Sequence, residues 1–145
     1  MRILIDVDVP DLESAIAFYR DGLGLRLSRL LDDDVAELSG GSCTIYLLRK
    51  PAGSTATKAP GGGRDYARHW TPVHMDFVVE DLAAAERRVL DAGARRESER
   101  IEWQGSRCIT FSDPFGNGFC LIEFDAGTYR DSAHQPTPKS GTSGA

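Results

Sequence analysis

IDVDVPDLESAIAFYRDGLGL at residues 5–25 and MDFVVEDLAAAERRVLDAGAR at residues 75–95 repeat one pattern in this 145-residue sequence. Each stretch opens with alternating apolar residues, as a half-buried strand does, and continues through Asp-Leu into an amphipathic helix that ends near a glycine. Asp11 and Asp81 stand where helix N-caps belong, because a carboxylate there accepts the free N–H groups of the first helical turn. The repeat predicts two copies of one strand–helix unit.

Three further strands are predicted after each copy. They lie near residues 25–31, 34–39 and 43–49 in the first half, and near 95–102, 106–112 and 118–124 in the second. Each half then has the order βαβββ, which places the chain in the α+β class. A curved sheet that carries a single helix leaves one face uncovered, so we expect the two modules to form one cupped mixed β-sheet.

The composition divides the chain into one domain and a tail. The predicted domain spans about residues 1–126, with module one at about 1–50 and module two at about 70–126. Between them, about residues 51–69 are rich in Gly, Pro and Ala without apolar periodicity, which predicts a mobile linker loop. Residues 127–145 are polar and are expected to form a disordered tail.

Charge and hydropathy exclude several classes of partner. A net charge of −5 argues against nucleic acid, which needs a basic surface, and favours cationic over anionic small molecules. No apolar run is long enough for a membrane span, and the first residues do not form a signal peptide, so we expect a cytoplasmic protein. Three cysteines without C-x-x-C spacing indicate free thiols rather than a disulfide framework or a zinc knuckle.

A third motif, FSDPFGNGFCLIEF at residues 111–124, places a turn-forming cluster between two apolar runs. Together with PDLESAIAFY and EDLAAAERRVLDAGA in the two repeats, it resembles the vicinal-oxygen-chelate (VOC) superfamily, which includes glyoxalase, bleomycin-resistance and extradiol-dioxygenase proteins. The resemblance covers about residues 3–126. It implies the glyoxalase/bleomycin resistance/dioxygenase fold, which supports many different activities.

The resemblance also implies where a metal would bind. In metal-using relatives, the first and last strands of each module each contribute one ligand, usually His or Glu. By position these ligands fall on Leu4, Tyr46, His74 and Cys120. Leucine cannot bind a metal and tyrosine rarely does, so we expect no cofactor at this place.

Two alternatives involve neighbouring residues. Strand alternation puts Asp6 and Asp76 on the same faces as the family positions, so Asp6, His74 and Asp76 could form a displaced divalent-metal site. The other interpretation is that these acids face solvent. Cys120 beside His74 would form a thiol–imidazole pair, which serves as a nucleophile only if the thiol pKa is depressed; otherwise Cys120 is a buried filler.

The predicted ligand site follows from the residues that line the cup: Leu4, Asp6, Tyr46, His74, Trp103 and Cys120. Trp103 is expected at the pocket mouth, or alternatively in a core or dimer interface, and either Thr110 or Phe111 should face inward. These walls resemble the drug-sequestering branch of the superfamily. That likeness implies a metal-free homodimer that sequesters an antibiotic or another planar or cationic ligand. The alternative is a VOC-type lyase, isomerase, epimerase or dioxygenase that uses a displaced metal, or His74 as its acid/base.

Overall fold

The computed structural model describes residues 1–56, 62–70 and 73–130 of the chain. Module one contains β1 (Leu4–Val9), α1 (Leu12–Asp21), β2 (Arg26–Leu31), β3 (Val35–Ser39) and β4 (Thr44–Arg49). Module two contains β5 (Met75–Val78), α2 (Leu82–Asp91), β6 (Arg95–Arg96), β7 (Ile101–Trp103), β8 (Ser106–Ser112) and β9 (Gly118–Phe124). The βαβββ order is therefore present twice, with the first strand after α2 divided into β6 and β7.

Each module forms its own mixed sheet. The strand order is β1-β4-β3-β2 in module one and β5-β9-β8-β6 in module two, with β7 also paired to β8. In both sheets the first and last strands of the module run parallel, and the other pairs are antiparallel. The two βαβββ modules agree with the predicted fold, but within the described residues they form two separate hydrogen-bonded sheets and not the single cupped sheet that was expected.

Both helices begin at the predicted N-caps. The Asp11 carboxylate accepts the Ser14 N–H at 2.8 Å, and the Asp81 carboxylate accepts the Ala84 N–H at 2.8 Å. The β/extended backbone at both aspartates is the conformation that N-cap residues adopt. The two repeats therefore share their local hydrogen bonding as well as their sequence pattern.

The modules are joined through α1, whose buried face contacts module two. The Phe18 ring packs edge-on against Phe115 and Phe119, with centroid distances of 6.4 and 6.2 Å. The buried Tyr19 hydroxyl donates to the buried Asp113 carboxylate at 3.0 Å. These contacts make one apolar core of the two modules.

The described parts of the linker contact both modules. Arg64 forms an ion pair with Asp8 of β1 at 2.6 Å, and Arg68 forms one with Glu97 of module two. The Tyr66 hydroxyl donates to a backbone carbonyl at the end of module one at 2.7 Å. The positive charge of the linker is thus partly neutralised by neighbouring acids, and residues 57–61 of the predicted loop lie outside the described residues.

Residues 127–130 of the predicted tail lie against module two. The Tyr129 ring packs edge-on against Phe124 at 4.7 Å, and the Arg130 N–H donates to the Gln104 carbonyl at 2.8 Å. Residues 131–145 lie outside the described residues. Each of the two helices spans ten residues, so neither could cross a bilayer.

Candidate functional site

The candidate site lies on the open face of each module, by which we mean the sheet face away from its helix. In β1 the buried Val7 and Val9 point to the core, so alternation directs Leu4, Asp6 and Asp8 to the open face. The predicted site residues of β1 are thus placed on the side opposite the helix, as the sequence periodicity indicated.

The open face of module one carries a hydrogen-bonded row of polar side chains. Tyr46 is opposite Asp6 on one neighbouring strand and opposite Glu37 on the other. The Tyr46 hydroxyl donates to Glu37 at 2.7 Å, and Arg29 donates to the same carboxylate at 2.9 Å. The hydrogen bond to Glu37 raises the pKa of Tyr46, while the hydrogen bond from Arg29 lowers the pKa of Glu37. Tyr46 is therefore a neutral donor that is already engaged within its own module.

The open face of module two carries the corresponding row. Asp76 is opposite Cys120 just as Asp6 is opposite Tyr46, which supports the position assigned to Tyr46 in the first module. Thr110 is the inward residue on β8 and lies 3.8 Å from the Cys120 sulfur. Phe111, the other candidate for that position, is fully buried in the core.

The thiol–imidazole hypothesis depends on the protonation of Cys120. This residue is buried, and burial, followed by a hydrogen bond with Cys108, raises the pKa of its thiol to about 12. At neutral pH Cys120 is therefore a neutral thiol when no metal is bound. A nucleophilic pair with His74 needs the opposite shift, so the geometry favours the alternative of a buried side chain.

The family's four-ligand metal centre does not fit this chain. Leu4 offers no donor atom, and the Tyr46 hydroxyl is hydrogen bonded to Glu37. A different set of donors does come together, because ligand atoms of His74, Asp76 and Cys120 all lie within 4.8 Å of one another. A divalent metal is therefore possible, and the expectation of no cofactor is not supported.

The displaced metal site that the sequence suggested, Asp6, His74 and Asp76, differs from this group in one residue. His74 and Asp76 are both present, and the His74 Nε2 lies 3.3 Å from the Asp76 carboxylate. Among the described residues, Asp6 does not belong to the group, and Cys120 takes its place. The strand alternation gave the correct face for Asp6, but the separation between β1 and β5 decides which side chains meet.

A cleft of about 460 Å³ lies between β1, β5 and the linker. Asp6 and Asp8 line one side, His74 lines the other, and Arg64 and Tyr66 of the linker contribute a further wall. Asp8 is ion paired with Arg64, whereas Asp6 has no ion-pair partner within the described part of the chain. Asp65 of the linker also lines the cleft, where it accepts the Ala67 N–H, so Asp6 is the cleft carboxylate on the sheet that a ligand can engage.

Trp70 is a site residue that the sequence analysis missed. Its indole stacks on the His74 imidazole with a centroid distance of 4.2 Å and an interplanar angle of 19°. The ring fits there because Gly118 has no side chain; a Cβ at this position would collide with the indole. Trp70 lies four residues before His74, at the end of the Gly-rich linker, and that proximity was the available signal.

Trp103 occupies a different place from the one predicted at the pocket mouth. It is 62% exposed and packs edge-on against Tyr129 at 5.2 Å. Trp103 pairs with Ser106, which in turn pairs with the last residue of β9. His74 lies near the first residues of β9. Trp103 and His74 are therefore separated by the length of β9, about 20 Å. Of the six residues predicted to line the ligand site, two line this cleft, Asp6 and His74. The other four are not among its lining residues: Leu4, Tyr46, Trp103 and Cys120.

The comparisons with known proteins agree with this architecture. The model of the glyoxalase-like domain family matches residues 3–122. The ethylmalonyl-CoA/methylmalonyl-CoA epimerase of Cereibacter sphaeroides is 29% identical over 134 residues, which cover 83% of this chain and 93% of the relative.

Two solved structures show the same fold at lower identity. A glyoxalase-related enzyme from Fulvimarina pelagi has a TM-score of 0.67 at 14% identity, covering 85% of this chain and 87% of the other. A fosfomycin resistance protein from Listeria monocytogenes has a TM-score of 0.63 at 19% identity, and the match covers 85% of this chain and 92% of the other. Because the family model matches most of the sequence and the fold agrees, this chain belongs to the glyoxalase-like family of the VOC superfamily.

Proposed function

We propose that this protein binds a small organic cation with a flat or apolar part, such as an antibiotic, in the cleft between β1 and β5. The observation that carries the proposal is Asp6, a carboxylate in the cleft wall without an ion-pair partner among the described residues. Binding of this kind needs no four-ligand metal centre, which Leu4 and Tyr46 could not complete.

The shape and lining of the cleft support a ligand of drug size. Its volume of about 460 Å³ falls in the range of about 300–1,000 Å³ that is usual for small-molecule sites. In the stacked pair of Trp70 and His74, Arg68 lies over the Trp70 ring at 5.5 Å and His74 lines the cleft, so the imidazole offers an aromatic face that suits a planar group. A ligand could then place its charge near Asp6 and its flat part against this imidazole.

A thermal-shift screen of matched compounds tests the proposal. Each set contains a planar amine, its neutral isostere and the corresponding carboxylate. We expect the amine to raise the melting temperature most, and the shift to be largely lost in Asp6→Asn. Glu99→Gln removes an equal charge at an exposed position away from the cleft and should retain the shift. Equal shifts for all three compounds, or equal losses in both variants, would contradict the proposal.

An enzymatic role is the second candidate, and the His74–Asp76 pair favours it. A carboxylate 3.3 Å from an imidazole can orient the ring, as a positioned general acid/base requires. The epimerase relative suggests one substrate class to try, an acyl-CoA with an acidic α-proton. Solvent deuterium incorporation into methylmalonyl-CoA, lost in His74→Gln, would establish this role; no incorporation above the His74→Gln level would exclude this substrate.

We also propose that the protein is a homodimer in the cytoplasm. Every residue of β2 is exposed, and this edge strand carries Leu27, Leu30 and Leu31 with 36–57% exposure. Apolar residues on an unpaired edge are usually covered, because the free strand edge otherwise pairs with other chains. A second copy of the chain would cover them in a symmetric assembly.

A further inference from the structure

The open face of module two collects four metal-binding side chains from three neighbouring strands. His74 immediately precedes β5, Asp76 lies on it, and Cys120 is opposite Asp76 on β9. Cys108 on β8 is opposite Ile122, two residues beyond Cys120, so alternation puts both sulfurs on the same face. An imidazole, a carboxylate and two thiols thus come together within one module.

The distances among three of these groups, His74, Asp76 and Cys120, bring them close enough to share an ion. Two ligands held about 2.0–2.1 Å from a tetrahedral zinc ion lie about 3.3 Å from each other. The His74 Nε2 and the Asp76 Oδ1 are separated by 3.3 Å. The Cys120 sulfur lies within 4.8 Å of both. Cys108 is not a member of this close group, but its place on the neighbouring strand and on the same face as Cys120 makes its sulfur the candidate for a fourth ligand.

We infer that module two alone binds a thiophilic divalent ion, with zinc as the physiological example, through His74, Asp76, Cys108 and Cys120. Sulfur ligands favour zinc over magnesium or manganese, which prefer oxygen. This site differs from the inter-module centre of the family in two ways: it takes no ligand from module one, and Asp76 and Cys108 lie outside the family's ligand positions. It goes beyond the proposed function, because an ion needs no organic ligand to bind there.

The surroundings of the site support a bound ion. Trp70 stacks on His74 and so fixes the plane of the ring, as neighbours of a metal-binding histidine commonly do. Cys120 is only 6% exposed and Cys108 is partly buried, which shields the sulfurs from competing thiols. His74 and Asp76 are each more than a third exposed at the side chain, which leaves the ion an entry route from solvent.

Cobalt titration of the reduced, chelator-treated protein tests the inference without any organic ligand. The protein must carry no histidine tag. We expect one equivalent of Co²⁺ to produce a sulfur-to-cobalt charge-transfer band together with d–d bands of tetrahedral intensity, and one equivalent of Zn²⁺ to abolish both. Mg²⁺ in excess should not compete. Absence of the charge-transfer band, or displacement by Mg²⁺, would overturn the inference.

Serine variants assign the ligands. Cys120→Ser and Cys108→Ser should each reduce the charge-transfer intensity to about half. Each should also lower the affinity for Zn²⁺ by more than the 10–100-fold that is typical when a residue contacting a metal ligand is lost. Cys43→Ser, in module one, is the matched control and should bind like wild type. If a cysteine variant fails to fold, Asp76→Asn replaces it, because the Asp76 side chain is partly exposed. This variant should also lower the affinity for Zn²⁺.

Asp6→Asn separates this inference from the proposed function. This variant should keep full metal affinity while losing the organic cation. If Cys43→Ser lowers the band as much as Cys120→Ser, or if Cys108→Ser leaves it unchanged, the assigned ligand set is wrong.

Discussion

The buried bond between Tyr19 and Asp113 should contribute strongly to stability, because it links α1 of module one to the β8–β9 turn of module two. The phenol is 2% exposed and the carboxylate 5% exposed, and the oxygens are 3.0 Å apart. Hydrogen bonds to charged groups are worth about 1.5–3 kcal/mol. Asp113 also accepts three bonds from Phe115 and Asn117, so the carboxylate is not left without donors in Tyr19→Phe. We therefore expect a loss of about 2 kcal/mol.

Urea unfolding followed by far-ultraviolet circular dichroism measures this loss. With a slope of about 2 kcal/mol/M, the midpoint of Tyr19→Phe should fall by about 1 M at unchanged slope. Tyr66→Phe is the matched control, because its hydroxyl donates to a neutral carbonyl at 2.7 Å and should cost about 1 kcal/mol. If Tyr19→Phe unfolds with wild-type stability, or costs no more than Tyr66→Phe, the bond does not join the modules as argued.

The pH dependence gives an independent check on Tyr19. Burial, and then the charge of Asp113, raises the pKa of Tyr19 well above its ordinary value. A group with a raised folded-state pKa stabilises the fold fully below its unfolded pKa, about 10 for tyrosine, and this stability is lost as the pH rises further. Wild type should therefore lose stability above pH 10 more steeply than Tyr19→Phe. Parallel pH profiles for the two proteins would contradict the raised pKa.

Three further predictions concern the site and the assembly. Cys120 should resist alkylation at pH 8 in the native, metal-free protein, because its thiol is buried and has a pKa of about 12, and it should react rapidly in urea. Mass spectrometry measures the labelling, and rapid labelling of the native protein would mean that the thiol is activated. Gly118→Val should displace Trp70 and shift its fluorescence emission to longer wavelength, whereas unchanged emission would mean that the ring does not rest on this glycine. Light scattering should give twice the 15.8 kDa chain mass, and Leu30→Lys on the exposed edge strand should shift it towards the monomer; a wild-type monomer at micromolar concentration would exclude the dimer.

Local rules predicted the elements of the fold well, because they depend on residues close in sequence. Both aspartate caps and the strand alternation needed only a few neighbouring residues, and the structure agrees with them. The strand predicted at 95–102 is interrupted instead. The Ser98 hydroxyl oxygen accepts the Thr110 N–H at 2.9 Å, which replaces a backbone acceptor, and only β6 and β7 remain in the ladder. A side chain that competes with the backbone is not visible in an apolar pattern.

The site was harder to predict because its members meet through tertiary packing. The family resemblance predicted His74 and Cys120 as neighbours, and their ligand atoms lie within 4.8 Å of each other. Trp70 was missed because its position depends on the space above Gly118, which is distant in sequence. Trp103 was assigned to the pocket mouth by analogy, whereas the register of β7 against β8 carries it to the far end of the sheet.

Fluorescence titration of Trp70 tests the central claim, that ligands bind in the cleft between β1 and β5. In a Trp103→Phe background, emission reports on the indole that stacks on His74 beside the cleft. A planar organic cation selected by the thermal-shift screen should change this emission saturably. Asp6→Asn should weaken the fitted affinity about tenfold, which corresponds to about 1.4 kcal/mol for one partly solvated charge. Binding that leaves Trp70 emission unchanged, or that Asp6→Asn does not weaken, would contradict the claim.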